Sequence, residues 1–135
     1  MPDISPFIRY RDAKAAIAWL QEAFGFEPEF VQEGSGGSIG HAQLRAGDGI
    51  IMLSTLREND LSMTVPGPDG RSTAGIYVTV PDADAHHDRA KAAGAKIVMP
   101  PTDEDYGGRD YVCHDPEGHV WSFGTYRPGS EGTPT

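Results

Sequence analysis

The sequence predicts an α+β fold: two β-α-β-β-β modules in one domain, forming a curved mixed sheet around a cleft. Three observations carry this. A strand pattern that ends at an acid, followed by a helix pattern that ends at a glycine, occurs twice at a spacing of about seventy residues. Apolar residues recur at helical spacing in some stretches and at every second position in others. The short turn signals "GD" at Gly47–Asp48 and "DPEG" at Asp115–Gly118 separate alternating runs.

The elements follow in order. "ISPFIRYRD" opens module one as a strand and ends at Asp12. "AKAAIAWLQEAFGF" continues as a helix, with Ile17, Leu20 and Phe24 on one stripe. Asp12 can cap it through a side-chain oxygen, and Gly25 can close it with a positive φ. "FEPEFVQE", "IGHAQLRA" and "GIIMLST" supply three further strands, the first two joined by the flexible loop "EGSGGSIG". "GIYVTVPD" opens module two and ends at Asp82. The alanine-rich "ADAHHDRAKAAGA" is its helix, stopping at Gly94, and "AKIVMPP", "RDYVCHD" and "HVWSFGT" are its remaining strands. The expected boundaries are module one about 3–56, linker 57–73 and module two about 74–126, one domain over 1–126, with a disordered tail at 127–135. The Pro- and Gly-rich stretch "LRENDLSMTVPGPDGRSTA" is either a mobile connector or a lid.

The totals exclude several functions. The formal net charge is −9, from 20 acidic and 11 basic side chains, which repels phosphate backbones and argues against nucleic acid. No apolar run is long enough for a membrane span, and no secretory signal is visible, so a cytoplasmic location is expected. Cys113 stands alone, which rules out an internal disulfide and a multi-cysteine zinc site.

Strand alternation divides each sheet into two faces. The "DPEG" turn pairs His114 with Val120, Cys113 with Trp121, Val112 with Ser122 and Tyr111 with Phe123. Tyr111, Cys113, Trp121 and Phe123 then face the helices, while Val112, His114, Val120 and Ser122 face the cleft. Asp115 is explained by the turn alone. In module one, Ala42, Leu44, Ile51 and Leu53 face the helices, and His41, Gln43, Met52 and Ser54 face the cleft. The opening strands add Ser5, Phe7 and Arg9, and Gly75, Tyr77 and Thr79, to that face. Tyr106 and Arg109 sit in "DYGGRD", whose glycines let a loop bend toward a ligand. Arg109 either binds an anionic group or pairs with an acid such as Asp12 or Asp82. His86 and His87 point in different directions around a helix and are expected at the surface. Trp19 lies off the main helical stripe, where a subunit interface would use it.

The paired modules, with "RDAKAAIAWLQEAFGF" early and "YGGRDYVCHDPEGHVWSF" late, resemble the vicinal oxygen chelate superfamily of glyoxalases, bleomycin resistance proteins and extradiol dioxygenases. The resemblance implies metal ligands, usually His and Glu, on the first and last strands of each module. The matching positions hold Ser5, Met52, Gly75 and Ser122. Weak hydroxyls, a soft thioether and a missing side chain do not suit a hard divalent ion. The chain is therefore closest in character to metal-free, bleomycin-resistance-like members.

The likeness to the bleomycin resistance group implies a binding protein, while enzyme activity stays open as the alternative. It would be a homodimer that sequesters a small aromatic or amphipathic drug or toxin, with no metal, no cofactor and no catalytic residue. The expected ligand contacts are Phe7, His41, Gln43, Met52, Tyr77, Tyr106, Arg109, His114 and Ser122. The alternative is a metal-dependent lyase, isomerase or dioxygenase with relocated ligands, for which His41 and His114 with a carboxylate are the candidates.

Overall fold

The structure is a computed structural model that describes residues 3–129. Residues 130–135 of the expected disordered tail lie outside the described residues. Module one runs β1 (Phe7–Tyr10), α1 (Ala13–Phe24), β2 (Glu27–Glu33), β3 (Ile39–Ala46) and β4 (Gly49–Thr55), with a 3₁₀ turn at Ser35–Gly37. Module two runs β5 (Ile76–Thr79), α2 (Ala83–Ala92), β6 (Lys96–Asp103), β7 (Arg109–His114) and β8 (Val120–Gly124). The β-α-β-β-β order repeats as the sequence indicates. Asp12 and Asp82 cap their helices by accepting from the backbone N–H of Ala15 and Ala85. Gly25 closes α1 at φ 76°, where an L side chain would be strained.

The strands form two four-stranded sheets, ordered β1-β4-β3-β2 and β5-β8-β7-β6. In each sheet the first pair is parallel and the other two are antiparallel. The register of β7 and β8 is the one the turn requires, with Cys113 opposite Trp121 and Tyr111 opposite Phe123. All four of these side chains are fully buried.

The modules do not join edge to edge into one continuous sheet. They meet through their helix-side faces. Phe24 and Phe26 of module one pack on Trp121 and Phe123 of module two, at ring distances of 4.5 to 6.3 Å. One short helix cannot cover a face this aromatic, so the two faces bury each other. A single core results, with residues from both helices and both sheets. The opposite face of each sheet therefore points outward.

Polar ties cross the same interface. Asp115 is buried and does more than shape its turn. It accepts from the Glu117 and His119 backbone N–H groups, from Trp121 Nε1 (3.0 Å) and from the Tyr10 hydroxyl of module one (2.6 Å). Glu117 accepts from the backbone N–H groups of Arg11 and Asp12, and His119 Nε2 donates to the Arg9 carbonyl. His86 is not a surface group. It stacks on Phe123 (4.1 Å), and its Nε2 donates to the Phe24 carbonyl. That leaves Nδ1 of the neutral ring to accept from the Tyr111 hydroxyl (2.5 Å). Trp19 donates to the Ala93 carbonyl and packs edge-on to Phe24, so it joins α1 to the end of α2 within one chain.

The connector between the modules is anchored. Asp60 is buried and paired with the buried Arg9 at 2.7 Å, and Val65 is also buried. Among the described residues, no helix is long and apolar enough to cross a membrane.

Candidate functional site

Each outward sheet face presents a row of side chains across all four strands. In module one the row is Phe7, Met52, Gln43 and Phe30, each opposite the next. In module two it is Tyr77, Ser122, Val112 and Met99. The rows correspond position by position, as the repeat requires. His41 lies beside the first row, its Nε2 3.1 Å from Gln43 Nε2 and its ring 6.0 Å from Phe30. Phe7 and Phe30 are half exposed, at 54% and 48%. The Arg9 guanidinium lies 5.7 Å from the Phe7 ring centroid.

The expected ligand contacts thus separate into two groups within a chain. Phe7, His41, Gln43 and Met52 share the outer face of the first sheet. Tyr77, His114 and Ser122 share the outer face of the second. Tyr106 joins the second group because its hydroxyl donates to Asp110 Oδ2 at 2.9 Å. The shared core stands between the two groups, so one chain does not enclose both in a single cleft.

Arg109 does not belong to either group. Two positions before Tyr111 on β7, it turns to the helix side. It donates Nε and Nη2 to Asp84 at 3.0 and 3.1 Å, and Nη1 to Asp103 at 3.2 Å. Its acid partners are these two rather than Asp12 or Asp82. The arginine's hydrogen bond holds the Asp84 carboxyl below its usual range, and the two acids raise the guanidinium pKa.

Asp110 shares the second outer face with the expected contacts, although the ligand reading passed over it. It is buried on the second outer face, two positions before Val112, as His41 is two positions before Gln43. The repeat itself held that signal. A Ser122–His114–Asp110 triad does not form: four residues along a strand separate Asp110 from His114 by about 13 Å. The Tyr106 hydroxyl, desolvated and bonded to Asp110, has its pKa pushed up to about 12.

The residues at the family's metal positions do not fit a divalent ion. Met52 faces Phe7 and Ser122 faces Tyr77 across each parallel strand pair, so thioether and hydroxyl stand where carboxylates would be needed. No group of three or more His, Cys, Asp or Glu able to hold a metal occurs among the described residues. His41 and His114 lie on the outer faces of different sheets and do not converge within one chain.

Comparison with known proteins agrees with this architecture. The profile of the Glyoxalase/Bleomycin resistance protein/Dioxygenase superfamily matches residues 4–123. An uncharacterized protein of Mycobacterium bovis is 35% identical over 130 residues, covering 91% of this chain and 82% of its own length. The crystal structure of TioX from Micromonospora sp. ML1 is 35% identical, with a TM-score of 0.75 over 94% of this chain and 100% of its own. The fosfomycin resistance protein FosX from Mesorhizobium loti shares the fold at 18% identity and a TM-score of 0.67, covering 95% of each chain. The chain belongs to the glyoxalase/bleomycin resistance protein/dioxygenase superfamily.

Proposed function

We propose that this protein sequesters a small aromatic or amphipathic molecule, a drug or toxin, in a metal-free cleft and without catalysis. One observation carries the reading. Rows in register on the two outer faces offer aromatic and apolar contact with a few polar groups, while the ancestral ligand positions hold no side chain that grips a hard ion. Such a lining suits capture of a planar or amphipathic molecule. The family description, which includes bleomycin resistance proteins, supports the same class.

The cleft is completed by a second copy of the chain. Each outer face is open and partly apolar in one protomer, and the two faces point away from each other. A homodimer that sets the first-module face of one protomer against the second-module face of its partner encloses two equivalent sites. Phe7, His41, Gln43 and Met52 then contribute from one side, and Tyr77, Tyr106, His114 and Ser122 from the other.

The test is a thermal-shift panel of aromatic and amphipathic antibiotics, run on protein purified without chelator and assayed for metal. A melting temperature that rises with one class, in metal-free protein and unchanged by chelator, supports sequestration. A stoichiometric divalent ion, with turnover that chelation abolishes, supports a metal-dependent lyase, isomerase or dioxygenase instead.

A further inference from the structure

Asp110 carries a feature that apolar capture does not explain. Its carboxylate is buried, at 7% exposure, and Oδ1 has no hydrogen-bond partner. Among the described residues no arginine or lysine pairs with it or with the nearby Glu104. Arg109, the adjacent residue, is committed to the other face by Asp84 and Asp103. A buried carboxylate oxygen left without a donor is costly, and such a cost marks a place where a partner is missing.

The surroundings define that partner. Asp110 stands beside Glu104, and this neighbour, with burial, raises the Glu104 pKa. Among the described residues, neither acid has a basic counter-ion. Aromatic rings stand around them. Tyr77 donates to the Tyr126 carbonyl at 2.6 Å, and Tyr106 packs edge-on to Tyr126 at 5.4 Å. Position 124 must be glycine here, since a Cβ would lie 2.6 Å from Asp110 Cβ and 2.7 Å from the Tyr77 hydroxyl. Tyr106 is 41% exposed, on a turn whose Gly107 and Gly108 have φ of 92° and 88°.

Paired carboxylates walled by electron-rich rings are the chemistry of an ammonium site. We propose that Asp110 and Glu104, walled by Tyr106 and Tyr77, bind a protonated amine on the sequestered molecule. This deepens the sequestration reading and rests on it. The incoming ammonium gives Oδ1 the N–H donor it lacks.

The experiment is calorimetric titration of the full chain with tyramine and with 4-propylphenol, its counterpart without the amine. Tyramine is expected to bind at least about tenfold tighter. Asp110→Asn is expected to bring tyramine down to the affinity of 4-propylphenol and leave the latter unchanged. Glu104→Gln, a more exposed site, provides the same comparison if the first variant does not fold. Equal affinities in the wild type, tyramine binding unchanged by the substitution, or no binding of either compound overturns the amine site. If 4-propylphenol binds and tyramine does no better, the amine site fails while sequestration stands.

Discussion

Asp115 accepts four hydrogen bonds from three strands or turns and from both modules. Burial, then the adjacent carboxylate, pushes the Tyr10 hydroxyl pKa well above its usual value, so that hydroxyl remains a donor. Asp115→Ala leaves buried donors on Tyr10 and Trp121 unpaired and is expected to cost about 3 kcal/mol or more. Urea denaturation checks it: the midpoint should fall with an unchanged slope. His86 sets a pH dependence. Burial lowers its pKa from the ordinary 6.5, so the unfolded chain binds the proton more readily. The stability tied to the neutral ring is whole above pH 6.5 and is lost as pH falls below that value, toward and through the lowered folded value. His86→Phe keeps the stacking and should flatten stability against pH in that window, measured by thermal melts. Asp60 behaves in the same direction at lower pH. The hydrogen bond from Arg9 holds its carboxyl below 3.8, so its contribution is present above 3.8 and disappears as pH falls through the folded value. Asp60→Asn should remove that acid limb.

At the scale of elements, the helices begin at side-chain caps that the sequence shows and are fastened by contacts that it does not. Glu117 sits on the module-two turn yet accepts both backbone N–H groups that lead into α1. Glu117→Ala is expected to cost about 1–2 kcal/mol, comparable with loss of a good N-cap. Hydrogen exchange should show the loss as faster opening of the first turn of α1, with β6 and β7 unaffected. The connector stores strain: Asn59, Leu61 and Ser62 all have positive φ without being glycine. The Arg9–Asp60 pair holds that path in place and gives the segment an anchor rather than the freedom expected of a Pro- and Gly-rich linker.

At the scale of the molecule, two outward faces on one chain point to a dimer as the binding unit. Sedimentation at micromolar concentration is expected to give twice the chain mass, with one ligand site per chain. Phe30→Glu charges the outer face of β2 and should shift the equilibrium toward monomer with the far-UV spectrum unchanged. A monomeric wild type that still binds drug would show instead that a single face suffices.

The strand registers were legible because the "DPEG" and "GD" turns fix pairing and because side chains alternate by strict period. The helices were legible from their caps and stripe. Among the expected ligand contacts, the shared faces of Phe7 with Met52 and of Tyr77 with Ser122 follow from alternation alone. Arg109 was misplaced because it was grouped with the glycine loop before it, although the strand "RDYVCHD" begins at that residue and alternation with Tyr111 sends its side chain to the helix side. His86 was misread because helical spacing says where a side chain points and not what arrives from another module to cover it. Asp110 was passed over because a missing hydrogen-bond partner is a property of packing.

By itself, the sequence determined the two modules, their element order and the face on which most strand residues lie. These are local matters of turn geometry, periodicity and side-chain chemistry. Only the tertiary structure decided that the modules meet through their helix sides, that Asp115 is buried and His86 partly covered, and that the sheet faces away from the helices look outward. Those outcomes depend on which apolar surfaces bury each other, and that is settled between residues far apart in the chain.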